Sequence, residues 1–374
     1  MTTVLMIALV AAVLLHLATV FLAAQRYSGR PPVPAEGAEL PPLTLLRPVC
    51  GVDAFDEETL RSSFLQDYPD YEIIFCAARA DDPACALVQK LMQDYPQVQA
   101  RLMIGESTIT GNPKVNNMHK GYDAALHDHI VMTDSNLMLP PDYLRQLVAR
   151  WTDDSIGLVT APAAGNRAVC LWGALECAFL NTHQGRWQLA ADAVGLGYAQ
   201  GKTLFGKRSV IEAGGGLAAL GRDLAEDVAM TKLIRGQNKS VRLTQQLFFQ
   251  PIGKKTFKHV WARQVRWSQI RKQGFLHLFL LEMVQGPVLP IVLTAVLIGF
   301  GVLHWLVLPA LLVLWYGAEW ALARRAGWPC GTKDIFACIL RDALIPAIWC
   351  VTWTRKGLVW RGNAVDKPSS QSAV

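Results

Sequence analysis

The chain has 374 residues, 52% of them apolar, with a formal net charge of +6 and a positive mean hydropathy. That length accommodates a full-sized catalytic domain plus membrane segments, and the apolar share excludes an ordinary soluble protein. The mild basic balance suits anionic lipid or a phosphorylated substrate; it falls short of a nucleic-acid-binding domain, and no nucleic-acid partner is expected.

Met1 to Gln25 contains no Asp, Glu, Lys or Arg, and about 20 apolar residues suffice to cross a bilayer. A signal peptide would carry a positive leading segment and a shorter apolar core, so residues 1–25 read as an anchor. Arg26 and Arg30 follow at once and predict that the downstream chain is cytoplasmic. The Pro-rich "RPPVPAEGAELPP" then serves as a linker. Beyond it, the apolar runs "LTLLRPV", "YEIIFCAA", "ARLMIG", "HIVMT" and "IGLVTAPA" alternate with "PACALVQKLMQDY", "PKVNNMHKGYDAAL" and "PDYLRQLVARW". The first set reads as strands and the second carries helical spacing, which predicts βαβ units and a mainly parallel sheet. Ligands of such sheets bind beyond the carboxyl ends of the strands, so polar residues just after each run are candidates.

Asp81 and Asp82 follow the second strand and precede Pro83, a common helix-start device. "GNPKVNN" offers Lys114 to a phosphate, though a solvated surface lysine is the plainer reading. Asp134, Ser135 and Asn136 follow the fourth strand. A carboxylate there, with a second oxygen two residues on, can hold Mg²⁺ or Mn²⁺ against a diphosphate; an Asx turn is the alternative. His183 lies in "FLNTHQGRW", whose apolar face suits a structural histidine as readily as a catalytic one. Glu226 and Asp227 open a helical pattern, where acids also favour the helix dipole. The basic helix "KHVWARQVRWSQIRK" carries Arg263, Arg266 and Trp267 just before the apolar C-terminal region.

Met283 to Ala318 has no formal charge and is too long for one helix through a core of roughly 30 Å, so two spans hinged near Gly299, Gly301 and His304 are expected. A third apolar block carries Arg341 and Asp342 at its middle and Pro346 just after; an interfacial or re-entrant helix is expected there in preference to a further span. The expected organisation is an anchor at 1–25, a cytoplasmic domain at 26–275, a membrane region at 276–356 and a tail at 357–374. The eight cysteines form no C-x-x-C pair and read as free thiols rather than a zinc site.

The order of these features is more specific than any one of them. An acid after the second strand, an acid after the fourth, an acid pair opening a later helix and R-x-x-R-W before the membrane together resemble the processive-type, family 2-like glycosyltransferases. "LLRPVCGVD", "DYPDYEIIFC", "DDPA", "AEDVAM" and "RQVRW" look like the ceramide glucosyltransferase family (family 21) and its bacterial relatives that act on hopanoid lipids. The resemblance runs from about Leu45 to Trp267 and implies an α/β GT-A (Rossmann-like) domain with flanking transmembrane helices. It further implies an inverting transfer from a UDP-sugar to a membrane lipid hydroxyl, in a multi-pass protein of a bacterial inner membrane.

By that resemblance Asp82 contacts the uracil or ribose, and Lys114 is a further nucleotide-sugar contact. Asp134, with Asn136, holds a divalent metal, Mg²⁺ or Mn²⁺, and Asp227 is the general base. Arg263, Arg266 and Trp267 lie near the diphosphate and acceptor, and His183 lies near the active site. The metal motif departs from D-x-D in having Asn136 as its third residue. Glucose to ceramide is the leading expectation, N-acetylglucosamine to a hopanoid polyol the second. A processive polysaccharide synthase would carry more spans. A non-catalytic membrane scaffold would leave the ordered acids as coincidence.

Overall fold

The structure is a computed structural model and describes residues 1–35, 37–355, 358–360 and 363–365. Most of the tail expected at 357–374 lies outside the described residues. In chain order, α1 (Thr2–Gln25) is followed by β1 (Leu43–Val49), α2 (Asp56–Arg61), β2 (Tyr71–Ala77), α3 (Pro83–Asp94), β3 (Ala100–Ile104), α4 (Pro113–Ala124) and β4 (His129–Thr133). Next come α5 (Tyr143–Arg150), β5 (Ile156–Thr160), β6 (Ala163–Ala168), α6 (Leu171–Ala178) and α7 (Arg186–Ala193). Then follow β7 (Thr203–Lys207), α8 (Arg208–Ala213), α9 (Glu226–Gly236), β8 (Ser240–Leu243) and β9 (Phe248–Gly253). The last helices are α10 (Phe257–Gly274), α11 (Leu276–Leu281), α12 (Val288–Gly299), α13 (Val307–Arg325) and α14 (Thr332–Thr354).

Residues 30–163 and 191–251 gather into one compact unit, built on a seven-stranded sheet of order β3-β2-β1-β4-β7-β5-β8. β1 pairs in parallel with both β2 and β4, and β2 with β3. The five strands and three helices read from the sequence are all present. The alternation along each strand divides the unit's core in two. Leu45, Ile73, Phe75 and Val131 point to one face, and Leu46, Ile74, Cys76, Ile130 and Met132 to the other. β7 departs from the parallel reading, because it enters antiparallel between β4 and β5.

Helix starts in this unit follow the sequence signals. Asn112 caps α4 by accepting from Lys114 N at 2.9 Å, with Pro113 in the first turn, and Asp82 caps α3 in the same way before Pro83. A proline costs nothing there, because those N–H groups have no helical partner.

Residues 1–29, 164–190 and 252–358 form a second unit. Residues 164–190 and 252–275, expected in the cytoplasmic domain, thus cluster with the apolar helices. Among the described residues two helices, α1 and α14, are long and apolar enough to cross a membrane; Leu276–Val284 and Val288–Gly299 together would be, but are bent by 44°. The chain leaves its helical path between α12 and α13, at the expected Gly299–His304 hinge. The third apolar block forms one continuous helix, α14, where an interfacial or re-entrant piece was expected. Its central charges are neutralised within the unit: Arg341 donates to Asp342 (2.7 and 2.8 Å), to Glu319 of α13 (3.0 Å) and to Thr182 Oγ1 (2.5 Å).

α4 lies close on β1 and β2 because Gly121 has no side chain. A Cβ there would stand 2.6 Å from Leu46 Cδ1 and 3.0 Å from Ile74 Cγ2. Gly121→Val is therefore expected to destabilise the protein by about 1–3 kcal/mol through overpacking. A lowered thermal midpoint in detergent checks this.

Candidate active site

The carboxyl ends of β1, β2 and β4 share one edge of the sheet, and the residues just beyond them gather into a cluster of polar side chains. Asp134 directly follows β4. Arg47, fully buried on β1, holds this turn through its main chain: Nη2 donates to the carbonyls of Asp134 (2.8 Å), Ser135 (2.9 Å) and Leu137 (2.9 Å). Nη1 donates to Thr59 O at 2.7 Å, and Thr59 Oγ1 in turn donates to Ser135 O at 2.7 Å. Burial lowers the guanidinium to about 10, which leaves it charged at neutral pH.

The Asp134 carboxylate meets two ammonium groups, Lys114 Nζ at 2.6 Å and Lys202 Nζ at 2.8 Å. Burial pushes this acid up, but the two lysines outweigh burial and hold it well below the usual carboxylate range. Lys114 also donates to Glu226 Oε1 at 2.6 Å and to Gly201 O at 2.9 Å. Burial opposes its charge, and the two carboxylates reverse that, so it is raised above an ordinary lysine.

Asp227, beside Glu226 in the first turn of α9, is treated differently. Its oxygens accept only main-chain protons, Gly201 N at 3.0 Å and Val228 N at 2.8 Å. Burial first, and the charge of Glu226 second, push its carboxyl up to about 6. A Cβ at Gly201 would stand 2.7 Å from Glu226 Oε1, so any larger residue there would have to push that carboxylate aside.

Asp134, Asn136, Lys114, Glu226 and Asp227 are thus brought together. Asp82 lies beyond β2 at the same edge; its carboxylate accepts from Ala84 N (2.9 Å) and from Gly51 N (2.9 and 3.0 Å). The remaining predicted residues belong to the second unit. There Arg263 donates to Glu176 at 2.6 Å and lies over the Trp267 ring, and Trp267 packs against the Cys177–Leu180–Ile252 cluster. Arg266 is half-buried on the same helix. His183 is buried in a π-helical turn, Phe179–Gly185, and burial, reinforced by Arg341 and Arg186, holds its imidazole neutral.

Sequence reasoning gave no role to Lys202 or Arg47. Lys202 reaches Asp134 only because β7 enters antiparallel beside β4, with Asp134 N donating to Lys202 O at 3.3 Å. No local spacing signals that pairing.

The two oxygens expected to hold a metal converge on one cation position. Lys202 Nζ donates to Asp134 Oδ2 at 2.8 Å and to Asn136 Oδ1 at 2.9 Å. The donor set therefore fits a divalent ion that displaces this ammonium. Among the described residues no group of three or more His, Cys, Asp or Glu could hold one, so further oxygens must come from a ligand.

The parallel sheet with its acid-bearing edge is that of a GT-A glycosyltransferase, and the comparison of folds agrees. A mannosyltransferase from Pyrobaculum calidifontis, solved with GDP-Man and Mn²⁺, superposes with a TM-score of 0.59 at 18% identity, over 95% of this chain and 99% of that one. The chain belongs to glycosyl transferase family 21, whose family model matches residues 3–371. Ceramide glucosyltransferase 3 of Caenorhabditis elegans is 25% identical over 338 residues, 88% of this chain and 73% of that protein. The ceramide glucosyltransferase of Komagataella phaffii is 39% identical over 117 residues, which span 30% of this chain and 23% of that protein.

Arg47→Met is expected to lower stability by roughly 2–4 kcal/mol, because it strands buried carbonyls. It should also loosen the Asp134 turn. Thermal unfolding in detergent and the KM for the donor check the two effects, and an unchanged donor KM would deny Arg47 its positioning role.

Proposed function

We propose that the protein transfers glucose from UDP-glucose to the primary hydroxyl of ceramide, with inversion at the sugar carbon. The observation that carries this reading is Asp227, a carboxylate tuned to about 6 in a pocket whose other acids are neutralised by lysines. A base must be unprotonated near neutral pH yet retain proton affinity, and a value near 6 suits both needs. The related ceramide glucosyltransferases support ceramide as acceptor over a hopanoid polyol.

In this reading Asp227 takes the proton of the acceptor hydroxyl as its oxygen attacks the anomeric carbon. The bond from that carbon to the diphosphate oxygen breaks, and UDP leaves. Lys114 and Lys202 place positive charge where the diphosphate charge develops. Asp134 and Asn136 would hold a Mg²⁺ or Mn²⁺ ion, which when bound supplies Lewis-acid stabilisation of the leaving diphosphate. Asp82 is assigned to the nucleoside, Arg263, Arg266 and Trp267 to the diphosphate and acceptor, and His183 to the acceptor's vicinity, all on their match to the family's motifs. The pattern of apolar helices and basic flanks supports a multi-pass membrane protein with the catalytic domain, residues 26–275, on the cytoplasmic side.

The test is to incubate the purified protein with UDP-glucose or UDP-N-acetylglucosamine, each paired with ceramide or a polyol hopanoid, and identify the glycolipids by mass. Glucosylceramide is expected; a hopanoid product in its place would overturn the assignment. Asp227→Asn should lower transfer by about 10²–10⁴-fold while the protein stays folded. For the unaltered enzyme, kcat/KM should fall with unit slope as pH drops through about 6, because protonation removes the base, and level off above it. A flat pH profile would assign the proton transfer to another group.

A further inference from the structure

The cation position between Asp134 and Asn136 is held by a side chain of the protein itself. Lys202 Nζ stands 2.8 Å from Asp134 Oδ2 and 2.9 Å from Asn136 Oδ1, the two oxygens assigned above to a divalent ion. The other oxygen of the carboxylate, Asp134 Oδ1, meets Lys114 Nζ at 2.6 Å. Both oxygens of Asp134 are thus covered by ammonium groups, and Lys202 is only 8% exposed.

Three observations fix what must happen when a metal arrives. First, one position cannot hold two cations. An ion bonded to Asp134 Oδ2 and Asn136 Oδ1 takes the place of Nζ, and like charges that close repel strongly in a poorly solvated site.

Second, the main chain at Lys202 cannot yield. Its carbonyl accepts from Asp134 N at 3.3 Å, and the next residue, Thr203, pairs with Thr133 in the β4–β7 ladder. Thr160 Oγ1 adds a tie on either side, accepting from Gln200 N at 3.0 Å and donating to Thr203 O at 2.7 Å. Only the side chain can move, and a lysine stem has the torsional freedom to swing its head elsewhere.

Third, the charges already balance. Asp134 and Glu226 face Lys114 and Lys202, charge for charge. A divalent ion entering alone would leave positive charge in excess, even with Asp227 ionised. A nucleoside diphosphate supplies the missing negative charge and gives the displaced ammonium a new anion to meet.

We propose that Lys202 is a resident counter-ion that closes the metal position in the resting protein, so that metal binds firmly only together with a nucleoside diphosphate. The ammonium exchanges Asp134 and Asn136 for a diphosphate oxygen, and returns when the nucleotide leaves. Ion pairs are exchanged and no covalent bond is made or broken. This rests on the reading above of Asp134 and Asn136 as the cation site and adds an order of binding to it.

The test is Mn²⁺ binding to the full chain in detergent, read from the free Mn²⁺ signal in electron paramagnetic resonance. With no nucleotide present, Lys202→Met should bind Mn²⁺ about tenfold more tightly than the unaltered chain. Lys202→Gln, neutral but still a donor, should do the same. No gain in either folded variant overturns the proposal. Adding Asp134→Asn to Lys202→Met should abolish the gain, and a gain that survives it arises elsewhere and overturns the proposal as well. In the unaltered chain, saturating UDP should tighten Mn²⁺ binding by roughly 5–150-fold, and Mn²⁺ should tighten UDP binding by the same factor, because coupling between two ligands is reciprocal. This last measurement needs no variant to fold, and equal Mn²⁺ affinity with and without UDP overturns the proposal. Glucosylceramide formation by a chain whose Mn²⁺ affinity is indifferent to Lys202 would remove the exchange and keep the function. The exchange without sugar transfer would keep the former and remove the latter.

Discussion

The catalytic unit depends on how it holds three carboxylates, Asp134, Glu226 and Asp227, in one poorly solvated place. Unpaired, each would resist ionisation, and together they would repel. Lys114 resolves this by standing between Asp134 and Glu226, 2.6 Å from each, with Lys202 adding a second cation to Asp134. Two cations serve two acids, and the third is left with main-chain N–H groups alone. The arrangement therefore sorts its members electrostatically. One acid is fixed as an anion toward a cation site, and the other keeps a proton affinity fit for a base. No single residue carries that distinction, because it arises from which acid each lysine reaches.

The reach of those lysines is set by the backbone. Lys114 is delivered by α4, which starts at an Asn-Pro cap and approaches the sheet closely at Gly121. Lys202 is delivered by β7, whose antiparallel entry lays its first residues along the end of β4. The Asp134 turn is held by Arg47, which reads main-chain carbonyls and so is indifferent to the turn's side chains. That explains how Asn136 can stand where related motifs carry an acid: the turn's shape does not rely on it. An asparagine there also limits the fixed negative charge, so a metal must draw on the donor's phosphate oxygens.

Much of this was legible in the sequence, for physical reasons that also mark the limit. β1 to β5 and α3 to α5 are local: their periodicity is satisfied by one face or by alternate faces, and the starts of α3 and α4 carry Asp-Pro and Asn-Pro signals. Asp134 and Asp227 were legible because they sit just past a strand and just inside a helix. Lys202 and Arg47 were not, since their roles come from a strand inserted out of order and from a side chain crossing beneath another strand's end. Asp82 shows how two readings share one residue. Its carboxylate caps α3 and ties down Gly51, which is the bland role the Asp-Pro pair suggested, and that same tie shapes the β1 and β2 ends where a nucleoside is proposed to lie.

The membrane-type helices pose the same electrostatic problem and show why α14 was hard to read. An arginine and an aspartate at the centre of an apolar helix argue against a span only if they face lipid. In the structure Arg341 and Asp342 are 1% and 3% exposed, and Arg341 donates to Glu319, Asp342 and Thr182 at once. Nearby, Arg186 bonds His16 of α1 and lies 3.7 Å from Glu319. Four helical segments distant in sequence, α1, the π-helical turn with the start of α7, α13 and α14, are thus tied into one buried cluster in which Arg186 and Arg341 face Glu319 and Asp342. A buried ion pair rarely adds net stability over an apolar pair, but removing one partner is costly. Such a cluster penalises every helix arrangement but one. Helix register and charge balance are therefore a single constraint, visible only once the charges are seen to face each other.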